Sequence, residues 1–165
     1  MQIQLLLDQY AAYDLWANAL FVKRLDRESS EVLDRTTPSS YPSLRTTLLH
    51  VRDAHHTWWS RLVGKEARWP AEEDQAIGTL LKHAALLRDL VAGMQEKDLI
   101  REMNYTDLRG ITHRQPAWQM LMHCFNHASY HRGQVVSIMR TLGLEEVPHT
   151  DLVVFQRSLK RPAKP

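Results

Sequence analysis

Four long stretches of this chain repeat apolar residues at intervals of three and four. That spacing places the apolar side chains on one face of an α-helix and is typical of helices packed on one side. Ser43 precedes the second stretch and suits an N-cap, and Gly143 follows the fourth and suits a helix end. The pattern therefore predicts an all-α protein whose long helices lie at residues 2–26, 44–62, 72–94 and 116–142.

Two shorter elements are expected beside the long helices. Residues 103–106 and 111–113 flank the turn sequence at 107–110, Asp-Leu-Arg-Gly. This arrangement predicts a small β-hairpin before the last long helix. After Pro148, Thr150 is placed to cap a short terminal helix that packs back across the others.

The length and composition suit one domain outside the membrane. We predict a single core over residues 1–159, with a basic tail at 160–165. No apolar run approaches the roughly 18–20 residues of a membrane span, and the N-terminus lacks a signal-peptide pattern. The single cysteine, Cys124, allows no intramolecular disulfide and is typical of a buried hydrophobe in a reducing compartment. We therefore expect a cytoplasmic protein with no membrane partner.

The charged side chains are spread along the chain. The 21 basic and 19 acidic residues give a formal net charge of +2, and no nucleic-acid-binding motif accompanies the basic tail. We therefore expect no nucleic-acid partner; the small-molecule substrate that we expect follows from the metal chemistry discussed below. The sequence also lacks a Ser-His-Asp signature, a glycine-rich phosphate loop and a His-Glu-x-x-His helix, which leaves metal activation as the catalytic device to be sought.

Three histidines lie four residues apart in the fourth helix: His123, His127 and His131. Neighbours in this series lie on one helix face, so an adjacent pair can direct ring nitrogens at one point. The outer two are separated by about 12 Å of helix rise, whereas nitrogens around one metal lie within about 3–4 Å of each other. A metal site therefore needs one adjacent pair and a ligand from another helix.

The second helix offers His50, Asp53, His55 and His56 for the remaining ligand. His55 lies nearest the centre of the apolar face, and His50 lies on its flank. A metal between two helices lies beside the line of deepest packing, which mildly favours His50, although periodicity alone leaves the choice open. His55 is expected in the core and His56 on the surface.

Arg132 falls inside the apolar face of the fourth helix. A buried guanidinium requires an anionic or carbonyl partner. The sequence therefore predicts that Arg132 forms an ion pair or hydrogen bonds in the interior.

Four pieces of the sequence carry recognisable signatures. They are Tyr13-Asp14-Leu15-Trp16-Ala17-Asn18, Thr47-Leu48-Leu49-His50-Val51 followed by Trp58, Asn126-His127-Ala128-Ser129-Tyr130-His131-Arg132-Gly133-Gln134, and Leu142-Gly143 followed by a proline and Asp151. Together they resemble the DinB-like superfamily of metalloenzymes over nearly the whole chain. The third piece is the most specific, because it is very similar to the family's Asn-His-x-x-x-His-Arg-Gly-Gln block.

The resemblance implies a four-helix bundle of non-sequential topology, often a homodimer. It also implies a divalent metal ion, zinc or nickel, on three histidines that correspond here to His50, His127 and His131. The better understood members of the family are thiol-dependent transferases or isomerases that use mycothiol or bacillithiol, so a low-molecular-weight thiol is a second expected cofactor.

Three neutral imidazoles leave a coordination position open, as in catalytic zinc sites, where a water or a thiol is made more acidic. The first hypothesis is therefore a metal-dependent thiol S-transferase or hydrolase acting on a small electrophile. The alternatives are a non-catalytic stress-response protein that binds a metal or small ligand, and a bundle that binds no metal. The sequence identifies no general base; Asp14, Asp53 and Tyr130 are the candidates.

Overall fold

The structure, a computed structural model, describes residues 3–107 and 109–159. The predicted basic tail lies outside the described residues, and the single domain over 1–159 stays a prediction. In chain order the elements are α1 (Ile3–Leu25), α2 (Ser30–Asp34), α3 (Leu44–Leu62), α4 (Thr79–Gly93), α5 (Glu96–Leu99), β1 (Glu102–Thr106), β2 (Thr112–Pro116), α6 (Ala117–Thr141) and α7 (Leu152–Ser158).

The four long helices form a bundle whose spatial order differs from their chain order. Helix α1 packs against α4 and α6, and α3 packs against the same two helices. Around the bundle the order is therefore α1, α4, α3, α6, with α1 and α3 on a diagonal. Strands β1 and β2 pair antiparallel and lead directly into α6. The prediction of a non-sequential four-helix bundle with a small hairpin is confirmed. None of the described helices has the length and hydropathy needed to cross a membrane.

Helix boundaries follow local hydrogen bonding. Ser43 caps α3 as predicted, because its hydroxyl accepts the Thr46 N–H at 3.2 Å while the Thr46 hydroxyl accepts the Ser43 N–H at 3.0 Å. Helix α4 begins at Thr79, later than the predicted residue 72. The residues before it form a loop, because the buried Arg52 guanidinium binds the carbonyl oxygens of Glu72 and Asp74.

The other differences are small. Pro116 precedes the first residue of α6. At the C-terminal end, Asp151 occupies the N-cap position of α7 in place of Thr150, whose carbonyl oxygen instead accepts the Tyr13 hydroxyl at 2.7 Å. Helices α2 and α5 were not predicted, because elements of this length are too short to show a helical period.

A buried polar cluster joins three of the long helices. Arg132 of α6 donates to Asp14 Oδ1 of α1 at 2.6 Å and to Asn18 Oδ1 at 3.0 Å. His55 of α3 contacts Asp14 Oδ2 through Nε2 at 2.6 Å, and its Nδ1–H donates to the Val51 carbonyl oxygen at 2.7 Å. Burial alone would raise the pKa of Asp14, but the charges of His55 and Arg132 outweigh it and hold the pKa below its usual value. The predicted interior partner of Arg132 is therefore confirmed.

Removing the buried guanidinium of Arg132 should destabilise the protein more than removing an exposed guanidinium. Arg132→Met leaves the Asp14 carboxylate in the interior without its arginine, and we expect a loss of about 3–5 kcal/mol in the free energy of unfolding. Urea denaturation followed by circular dichroism measures it. The matched control is Arg27→Met, because Arg27 forms an exposed ion pair with Glu146, and this substitution should cost at most about 0.5–1 kcal/mol. Equal losses in the two variants would contradict the role given to Arg132.

Candidate metal centre

Helices α3 and α6 bring three histidines together at one point of their shared groove. The Nε2 atom of His127 lies 3.0 Å from Nε2 of His50 and 3.1 Å from Nε2 of His131. One ring nitrogen from each of the three lies within 4.8 Å of the other two. The structure thus brings together the three histidines that the resemblance implied, whereas His55 contacts Asp14 instead.

The three imidazoles are neutral at physiological pH. Burial, with the neighbouring His131 as the next cause, lowers the pKa of His127 to about 3 and that of His50 to about 4. Burial also lowers the pKa of His131. Neutral rings carry the lone pairs that a metal ion requires.

Gln134 sets the tautomer of His131. The Nδ1–H of His131 donates to Gln134 Oε1 at 2.8 Å, which leaves the lone pair on Nε2, the nitrogen that faces His127. A single proton on His127 Nε2 could serve its contact with His50 or with His131, but not both. A divalent cation among the three nitrogens would satisfy every contact, so this donor set fits a metal ion, and imidazole ligands suit zinc and nickel.

Two aromatic rings form walls around His50. Tyr41 stacks on the His50 ring with centroids 4.0 Å apart, and the Trp69 ring meets it edge-on at 5.6 Å. Both lie in irregular segments on either side of α3, where no periodic pattern could have indicated them. Gln134 could have been found, since it lies one helical turn after His131 on the same face.

The other three histidines considered as ligands lie outside the centre. His123 is exposed and packs on the Trp58 ring at 4.8 Å, and His55 is fully buried as predicted. The expectation that His56 lies on the surface is wrong, since it is half-buried. The loop after α3 covers it, and the Arg68 N–H donates to its Nε2 at 3.2 Å.

The candidate general bases are largely engaged elsewhere. Asp14 belongs to the buried polar cluster, and Asp53 Oδ1 accepts from Arg52 Nε and from the Ala71 N–H. Tyr130 is 62% exposed beside His131. Cys124 is fully buried, and burial raises the pKa of its thiol, as befits a structural residue.

Loss of the Gln134 hydrogen bond should weaken metal binding without removing a ligand. Gln134→Leu frees the His131 ring to rotate and to change tautomer, and we expect zinc affinity to fall by about 10- to 100-fold. Competition with a chromophoric chelator measures the affinity. Gln119→Leu, on the same helix but away from the cluster, should retain the wild-type affinity. An unchanged affinity in Gln134→Leu would contradict the account.

The lowered pKa values predict acid sensitivity of the metal-free protein. A folded-state pKa of about 4 for His50 and about 3 for His127 means that the fold favours the neutral rings. Their contribution to stability is present above the unfolded pKa of about 6.5 and is lost as pH falls towards 3–4. Urea unfolding with chelator present should show a smaller loss across this range in His127→Leu than in the wild type. Parallel curves for the two proteins would contradict the assignment.

Comparison with known proteins agrees with this geometry. The family model described as "DinB family" matches residues 1–161. The chain is 26% identical over 149 residues to Protein DinB of Bacillus subtilis (strain 168), covering 82% of this chain and 86% of that protein.

A solved structure shows the same fold. The crystal structure of a DinB-like protein from Bacillus cereus ATCC 10987 is similar with a TM-score of 0.59 and 24% sequence identity, over 81% of this chain and 90% of that one. The likeness of fold and the match of the family model over residues 1–161 lead to one conclusion: this chain belongs to the DinB family.

Proposed function

We propose that this protein is a divalent-metal-dependent enzyme whose ion, zinc or nickel, is held by His50, His127 and His131. The observation that carries the proposal is the approach of three neutral ring nitrogens, with His127 Nε2 at 3.0 and 3.1 Å from the other two. Membership of the DinB family supports it, because the family model matches residues 1–161 and the sequence segments that resemble the family's signatures contain all three histidines.

The reaction we propose is transfer of a low-molecular-weight thiol to a small electrophile, or hydrolysis of one. When bound, the ion supplies Lewis acidity that lowers the pKa of a neighbouring thiol or water towards neutrality. The chain's own residues keep the ligand rings neutral, and Gln134 orients His131. The only cysteine is buried, so a thiol nucleophile has to come from outside the protein.

The space beside His50 is large enough for a small organic substrate. A cavity of about 320 Å³ is lined by residues that include Tyr41, His50 and Trp69. A volume of this order accommodates a small organic molecule. Trp69 is 51% exposed, so the ring can contact an incoming apolar group at the mouth of the cavity.

The homodimer and the cytoplasmic location stay predictions.

Metal content tests the proposal. Untagged protein purified without chelator should contain nearly one equivalent of zinc or nickel by mass spectrometry, and His127→Ala should contain almost none. His123→Ala is the matched control, since His123 lies one turn away on the same helix and should keep the metal. An equal metal content in His127→Ala, or none in the wild type after incubation with zinc, nickel and manganese, would refute the site.

Turnover tests the reaction class. Loaded protein should convert members of a panel of epoxides, halides, esters and amides, with several low-molecular-weight thiols present, and His127→Ala should not. A fully loaded protein that binds members of the panel tightly but turns none over would overturn the enzyme proposal. That result would favour the non-catalytic binding protein.

A further inference from the structure

A second cavity lies farther along the groove between α3 and α6, beyond the metal centre. It has a volume of about 360 Å³, and its walls include Trp58 and Arg61 of α3, Tyr105 of the hairpin and His123 of α6. His123 lies four residues, about 6 Å of helix rise, from His127, and their ring centroids are 6.1 Å apart. The cavity and the metal centre are therefore neighbours within the reach of one small molecule.

Arg61 is held in a fixed position on the wall of this cavity. Its guanidinium carbon lies 4.6 Å from the centre of the Trp58 ring and 4.8 Å from that of Tyr105. Its Nη2 donates to the Thr106 carbonyl oxygen at 2.9 Å. Within residues 3–107 and 109–159, Nε and Nη1 have no hydrogen-bond acceptor and the guanidinium has no carboxylate partner. Nη2 uses only one of its two hydrogens for Thr106, so one edge of this partly buried cation, either Nε–Nη2 or Nη1–Nη2, keeps two parallel N–H donors for a ligand.

The nearby carboxylate of Asp107 is engaged within the hairpin. Its Oδ1 accepts the Arg109 and Ile111 N–H groups at 2.9 and 3.0 Å, and Oδ2 contacts His113 Nε2 at 2.9 Å. These hydrogen bonds lower the pKa of Asp107 to about 2, and the bond with His113 is the largest cause. Asp107 therefore does not neutralise Arg61 by direct pairing, but its negative charge disfavours a ligand with two charges.

Gln115 adds a polar group to the same wall. Its side-chain oxygen accepts the Tyr105 hydroxyl at 2.6 Å, which orients the amide. The amide nitrogen lies 3.5 Å from Gln119 Oε1, at the limit of a hydrogen bond. This nitrogen is thus a further donor for an acceptor bound in the cavity.

We propose that this cavity binds the carboxylate of a small molecule and that Arg61 recognises it through the free edge of its guanidinium, where Nη2 and an adjacent nitrogen each keep one N–H donor. A guanidinium with two adjacent donors matches the two oxygens of a carboxylate. A phosphate dianion fits less well, because one guanidinium beside Asp107 cannot balance two charges. The reacting end of the molecule extends to the three histidines, and this part rests on the proposed function.

Binding of matched probes tests the assignment. We would titrate the zinc-loaded protein by calorimetry with ω-mercaptocarboxylates of increasing length and with the carboxamide of each. At one length the carboxylate should bind at least about tenfold more tightly than the carboxamide. The preference should disappear in Arg61→Gln and weaken in Arg61→Lys, which keeps the charge but loses the paired donors. Arg88→Gln is the control, since Arg88 is exposed on α4 beside Asp89 and should behave as the wild type.

A second experiment, on metal-free protein, separates the proposal of a carboxylate site from the proposal of a metal-dependent enzyme. With chelator present, hexanoate and hexanamide replace the thiols, and chemical shifts of the hairpin report binding. A retained preference for hexanoate that depends on Arg61 supports the carboxylate site even if the metal proposal fails. Equal binding of acid and amide in both arms, or an undiminished preference in a folded Arg61→Gln, would overturn the inference. Competition by inorganic phosphate as strong as that by hexanoate would overturn the choice of a carboxylate.

Discussion

The contact on which this structure depends most is the buried ion pair between Arg132 and Asp14. Side-chain exposure is 3% for Arg132 and 1% for Asp14, so neither charge is solvated by water. Two buried charges gain little net stability, because desolvation offsets their attraction. These charges fix how the helices are aligned along their axes, because Asp14 of α1 binds Arg132 of α6 and His55 of α3 at the same time. A shift of any of the three helices by one residue would leave a charge buried without its partner.

This alignment of the helices positions the histidine cluster. His131 directly precedes Arg132 on α6, and His50 lies on α3 little more than one turn before His55. Once the buried cluster aligns the two helices, the rings of His50, His127 and His131 share one groove. The geometry then explains the chemistry: burial keeps the rings neutral, and Gln134 turns a lone pair of His131 toward His127. A fold that is rigid at its centre thus presents a preorganised donor set at its groove.

Periodicity predicted the four long helices and the hairpin because these elements depend on local pattern. It could not place the start of α4, because the loop before it is held by Arg52, which lies twenty or more residues earlier in the chain than the carbonyl groups it binds. Nor could it find Tyr41 and Trp69, since loop residues carry no period. The choice of His50 over His55 needed the family resemblance, because both positions lie close to the apolar face of α3. Spacing on α6 predicted that an adjacent pair of its histidines shares a point, and the family resemblance was again needed to choose His127 and His131 over His123 and His127.

The central claim is that the three nitrogens of His50, His127 and His131 share one ion. X-ray absorption at the zinc edge of the loaded protein measures this most directly, because it reports the kind, number and distance of the ligand atoms. The account predicts scattering from three imidazole rings, with zinc–nitrogen distances of about 2.0–2.1 Å, and from two rings or fewer in His50→Ala. A sulfur ligand from the protein at about 2.3 Å, or a shell of oxygen atoms without imidazole, would contradict it.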